Sequence, residues 1–255
     1  MTTQNETKLK KLSKLLQLNN ILTSKLLDEI GVSRHLRQYY QKSGWLEPIG
    51  RGAYKSPGDP IAWHTGINAL QEQLDFKGHV GGLTALTLHG FSHYFRLSKE
   101  SLHLFLPHQT RIPKWFKDYN WEVDLFPKST SFLPESIGIK EMEIKGVKVM
   151  VSTPERAIFE TLFLAPQHID LVECYQILEG LVNLKPRLLS QLLTNCNSIK
   201  VKRLFLYMAE KANHQWFQFI DTSKFDIGVG DRMTTKNGVY ISKYQIIIPK
   251  DLAEL

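Results

Sequence analysis

Four side chains at the start of one short segment have the chemistry to read bases. Arg34, Arg37, Gln38 and Gln41 stand at three- and four-residue spacing, so a helix places them on one face. Arg and Gln form paired hydrogen bonds to the major-groove edges of guanine and adenine. Leu36, Tyr39 and Tyr40 fall on a second face that suits packing. Ser33 is a good N-cap, and Gly44 suits the left-handed position that closes a helix. Lys42, Arg51 and Lys55 would serve phosphates, which position a protein without specifying sequence. Tyr54 would pack under the wing, the hairpin after the helix, or touch the DNA backbone. The nine candidate contacts are therefore Ser33, Arg34, Arg37, Gln38, Gln41, Lys42, Arg51, Tyr54 and Lys55. The plain alternatives are an amphipathic helix with a solvated polar face, or the same motif used for protein contacts.

The elements that must position them are readable around this segment. A helical pattern stops at Gly31, a second runs from Ser33 to Gly44, and 45–55 reads as a hairpin around Gly50-Arg51-Gly52. Helix, tight turn, helix and wing is the order of a winged helix-turn-helix. A preceding helix is expected over 6–18, with Leu9, Leu12, Leu15 and Leu16 inward and lysines mostly outward. Residues 1–5 are expected to lack structure.

Charge follows the same segment. Net charge is +7. Residues 1–60 hold ten Lys/Arg against five Asp/Glu, leaving 22 against 20 for the rest. Excess positive charge on this module is what a phosphate-binding surface requires. Composition is that of an ordinary globular protein, with 42% hydrophobic residues. Cys174 and Cys196 lack metal-ligand spacing and read as reduced, small apolar residues. The lysine-rich start has no apolar signal core, and no run approaches the ~20 residues that span a bilayer. A soluble cytoplasmic protein is expected.

Ser56-Pro57-Gly58-Asp59-Pro60 is a breaker-rich link. It divides a DNA-binding domain, 1–58, from a body, 61–255. In the body, helices are expected over 61–74, from Gly81-Gly82 to near Gly90, and over 154–164, 169–184, 186–194 and 198–211. Strands are expected over 102–106, 121–126 and 141–151, the last folded at Gly146, and near 225–227, 239–241 and 244–248. Thr153-Pro154-Glu155 marks a helix start, with Thr153 as cap. The fold class is α+β: the winged domain, then a mixed domain with a small antiparallel sheet and a helical C-terminal part.

Catalytic patterns are weak. His89 and His93 stand four apart, but Gly90 and Phe91 lie between and the HExxH glutamate is missing. His103 and His108 flank a strand and suit packing or solvent. Asp124 with Glu143-Ile144-Lys145 resembles the acid, acid-x-Lys pattern of metal-dependent nucleases. The simpler account of Glu143 and Lys145 is an exposed strand face. Gly228-Val229-Gly230 lacks the rest of a phosphate loop, and Gly81-Gly82 reads as a turn. No enzyme, metal or cofactor is expected.

The wing Gly50-Arg51-Gly52-Ala53-Tyr54, the run Val151-Ser152-Thr153-Pro154-Glu155-Arg156-Ala157 and the ending Tyr244-Gln245-Ile246-Ile247-Ile248-Pro249 resemble the AbiEi-like antitoxins of type IV toxin–antitoxin (abortive infection) systems. The resemblance spans most of the chain. It implies a bacterial autorepressor that binds inverted repeats in its own promoter. It also implies a C-terminal domain that opposes a nucleotidyltransferase-like toxin without a stable complex. On this basis Arg34, Arg37, Gln38, Gln41 and Arg51 would face DNA. A plain regulator with a ligand- or partner-binding body is the first alternative, and the nuclease the second. Operator sequence and oligomeric state are left open.

Overall fold

The computed structural model describes residues 2–91 and 100–255. The described chain forms two compact units. One holds 1–78, 109–125 and 141–149; the other holds 79–108, 126–140 and 150–255.

The first unit opens with α1, Thr2–Leu18, which begins earlier than the expected 6–18. Then come β1, Leu22–Thr23, α2, Ser24–Glu29, and α3, Arg34–Lys42. The wing is β2, Glu47–Gly50, and β3, Ala53–Lys55, in a sheet of order β1-β3-β2. Local signals set these bounds. Thr23 and Ser33 both cap through side-chain oxygens, and Gly31 and Gly44 take positive φ of 79° and 73° at the helix ends. Leu12, Leu22, Leu27, Val32, Tyr40 and Leu46 form the core that fixes the three helices and the wing. Helix α4, Trp63–Leu74, belongs to the same unit. Its Gln73 amide accepts from Thr23 N and donates to Ile21 O, both at 2.8 Å and buried. The compact unit therefore continues past the breaker-rich link.

In the second unit, β4, His79–Val80, and α5, Gly82–Leu88, precede β5, Ser101–Leu106. Then follow α6, Lys114–Asp118, in the first unit, and β6, Asp124–Ser129. Next are β7, Ile139–Ile144, and β8, Val147–Ser152, of which residues 141–149 belong to the first unit. Strand order is β6-β5-β4-β8-β7. The sheet is mixed rather than antiparallel, because β4 pairs β8 in parallel while pairing β5 antiparallel. Four helices follow: α7, Pro154–Leu164, α8, Leu171–Gly180, α9, Pro186–Asn195, and α10, Ile199–Lys211. Helix α7 is buried along nearly its whole length, as expected of a helix packed on several sides. Its cap differs from expectation. The buried Thr153 hydroxyl makes no hydrogen bond among the described residues, and Pro154 opens the helix without it.

Glu160 of α7 is the polar centre of this unit. It is fully buried and accepts from Gly82 N at 2.9 Å, Ser152 Oγ at 2.8 Å and Arg156 Nε at 2.7 Å, with His79 Nε2 at 2.8 Å. Burial alone would raise its pKa; His79, Arg156 and the Gly82 N–H outweigh that and hold it well below the usual carboxylate range. Arg156 Nη1 also donates to Pro134 O and Ile137 O.

The chain closes with β9, Arg232–Met233, β10, Val239–Ile241, β11, Ile246–Ile248, and α11, Lys250–Glu254. No strand forms at 225–227. Fully buried Arg203 of α10 occupies the turn there, donating to the carbonyls of Ile227, Gly228, Gly230 and Gln245. Cys174 and Cys196 are buried and free, and burial pushes both thiols up. Among the described residues, no helix is long and apolar enough to cross a membrane.

Candidate nucleic-acid interface

Helix α3 and the wing border an open groove of about 700 Å³. It is lined by Arg34, Arg37, Gln38 and Gln41 from the helix, by Pro48, Gly50, Arg51, Gly52 and Tyr54 from the wing, and by Ser24. These lining residues include three guanidinium groups and no carboxylate. The groove therefore presents positive charge and amide groups from the start of a helix, which suits a polyanion with base edges to read.

The members are not equivalent. Arg34, Gln38 and Arg51 are exposed and Gln41 is half-buried, so each has a side chain able to reach a partner. Arg37 is only 7% exposed. Its Nη1 lies 2.5 Å from Asp28 Oδ1 and 2.9 Å from Val32 O. The expectation of two exposed arginines on α3 is corrected to one, since Arg37 fastens α3 to α2. Lys55 is corrected likewise. It is buried, with Nζ donating to Asp59 O at 2.8 Å and paired with Glu47 at 3.1 Å. Glu47 is drawn below its usual range by the Gly58 N–H and then by Lys55. Lys55 thus closes the wing onto the link instead of facing a phosphate. Tyr39, expected to pack, is 63% exposed.

The remaining expected residues divide as follows. Ser33 serves as a cap, its Oγ accepting from Leu36 N at 3.4 Å. Lys42 is exposed at the end of α3 and does not line the groove. Tyr54 is half-buried, packs on the core and lines the groove. Two lining residues, Ser24 and Pro48, went unread in the sequence, while Gly50 and Gly52 were read only as the wing turn. Ser24 could have been found, because a residue just after a capping Thr23 starts the helix that abuts the wing. Exposed His35, beside Arg34, also went unread.

The other chemical candidates resolve differently. Asp124 starts β6 and Glu143 lies on β7, the two opposite edges of the five-stranded sheet. Four strand spacings separate those edges, about 19 Å, too far to share one cation. Lys145 sits in the β7–β8 turn at φ 47°, off the strand face that Glu143 occupies. His89 Nε2 is taken up by Ser152 O at 2.9 Å, and His93 lies outside the described residues. Among the described residues, no three His, Cys, Asp or Glu groups are placed to hold a metal.

Two family models match the chain. One, described as a transcriptional regulator, AbiEi antitoxin N-terminal domain, covers residues 5–97. The other, a transcriptional regulator, AbiEi antitoxin, type IV toxin–antitoxin system, covers 99–249. The chain belongs to the AbiEi antitoxin family of type IV toxin–antitoxin systems. A crystal structure of the RV2827C protein from Mycobacterium tuberculosis is similar in fold, with a TM-score of 0.60 at 15% identity over 93% of this chain and 89% of that one. No curated protein matches in sequence.

Proposed function

We propose that the chain is a sequence-specific repressor of its own promoter, and that it opposes a nucleotidyltransferase-like toxin without forming a stable complex with it. The observation that carries the DNA reading is the groove between α3 and the wing, with Arg34, Gln38, Gln41 and Arg51 presented and no carboxylate among its lining residues. Arg34 and Gln38 sit in the first turns of the helix, where a recognition helix meets base edges. Arg51 projects from the wing turn toward a phosphate backbone. Family membership supports the regulatory role and the toxin as functional partner. In the body, Glu160 and Arg203 are held by internal partners and serve the fold.

A footprint of the protein on its own promoter tests the first half. Protection of paired repeats, lost on scrambling them, is expected; no preference over random duplex would refute it. Co-expression with the neighbouring reading frame tests the second. Rescue of growth without co-purification is expected, and continued toxicity would refute it.

A further inference from the structure

We propose that the segment 109–118, through Arg111, Lys114 and Lys117 on and beside α6, forms a second phosphate clamp that extends the DNA footprint past the wing. This rests on the DNA-binding reading above.

The segment lies far along the chain from the winged helix, yet it packs directly on the wing. A methyl group placed at Gly50 would stand 2.8 Å from Trp115 Cβ and 2.9 Å from Trp115 Cα. Only a residue without a side chain lets β2 come this close to α6. A second glycine, Gly66 of α4, gives equal room to Phe116 and Trp121, with a built Cβ only 2.8 Å and 2.7 Å from their rings. Trp115, Phe116 and Trp121 are all buried, and Trp121 Nε1 donates to Phe116 O at 2.7 Å. Five residues of helix are thus anchored on two sides by aromatic rings. With Trp115 and Phe116 turned inward, the neighbouring Lys114 and Lys117 are exposed, as is Arg111. The segment carries three basic residues and one acid, Asp118. Lys114 and Asp118 pair at 3.7 Å with both side chains mostly exposed, a contact weak enough to yield to a phosphate. Exposed positive charge on a segment that packs against the wing strand, on a rigid support, fits a polyanion backbone that positions a protein without specifying sequence.

The test compares the full chain with its Arg111→Ala/Lys114→Ala/Lys117→Ala variant on promoter and random duplexes across a salt series. The slope of log affinity against log salt should flatten by roughly two to three, about 0.9 per lost phosphate contact, and equally on both duplexes. A second measurement needs no variant. Bound duplex should protect Lys114 and Lys117 of the unaltered protein from amine acetylation, read by mass spectrometry. An unchanged slope, or full reactivity of both lysines in the complex, overturns the clamp while leaving the groove reading intact. Failure of the unaltered protein to bind either duplex overturns both.

Discussion

Arg37 Nη1 stands 2.5 Å from Asp28 Oδ1, and the same nitrogen reaches Val32 O at 2.9 Å. The guanidinium ties α3 to α2 across the tight turn and so sets the angle at which α3 faces its groove. Asp28 is 59% exposed, which keeps the pair modest. Arg37→Ala should lower stability by about 1–3 kcal/mol, the worth of charge-assisted hydrogen bonds. It should weaken promoter and random duplex together. Thermal melting with paired binding curves checks this; loss confined to the promoter would show direct base contact instead.

Arg34 and Gln38 are the pair expected to discriminate bases. Gln38→Ala should cost roughly 1–3 kcal/mol on the promoter and little on random DNA, with base preference relaxed at one position. The melting temperature should hold. Competition binding with a set of single-base operator variants gives the measurement.

Gly50→Ala should disturb the wing, since the added carbon meets Trp115 at 2.8 Å. Crowding of this kind costs about 1–3 kcal/mol. Trp115 fluorescence should change with it. A Gly50→Ala protein with unaltered emission and melting would mean that the contact gives way freely.

Acid should loosen the second unit. Burial pushes His103 down to about 4 from its ordinary 6.5, and burial lowers His89 as well. The unfolded chain therefore binds more protons between those values, and stability falls as pH drops from about 6.5 to 4. For His103 the loss reaches at most roughly 3 kcal/mol. His103→Gln should flatten the melting-temperature profile in that window. An identical slope in that variant would assign the effect elsewhere.

The parts legible in the sequence were those with local codes. Ser33 and Gly44 bounded α3, Gly146 marked the β7–β8 turn at φ 84°, and Pro154 opened α7 at the residue expected. The groove was legible as a face, because helical spacing fixes which residues travel together. Which of them stay exposed was not. Arg37 turns inward for Asp28, nine positions earlier on another helix, and Lys55 turns inward for the carbonyl of Asp59. No periodicity encodes either contact. Strand β4 and helix α6 escaped for a related reason. They span two and five residues, and their shape is imposed by β5 and β8 on one side and by Gly50 and Gly66 on the other.

The grip of Gln73 on Ile21 O and Thr23 N governs how the molecule can be trimmed. A polypeptide severed at the proline-rich joint near residue 58 would lose both bonds and uncover the apolar surface that α4 covers. The smallest fragment that keeps both bonds therefore extends past Gln73, and its wing would still lack Trp115, which is supplied later in the chain.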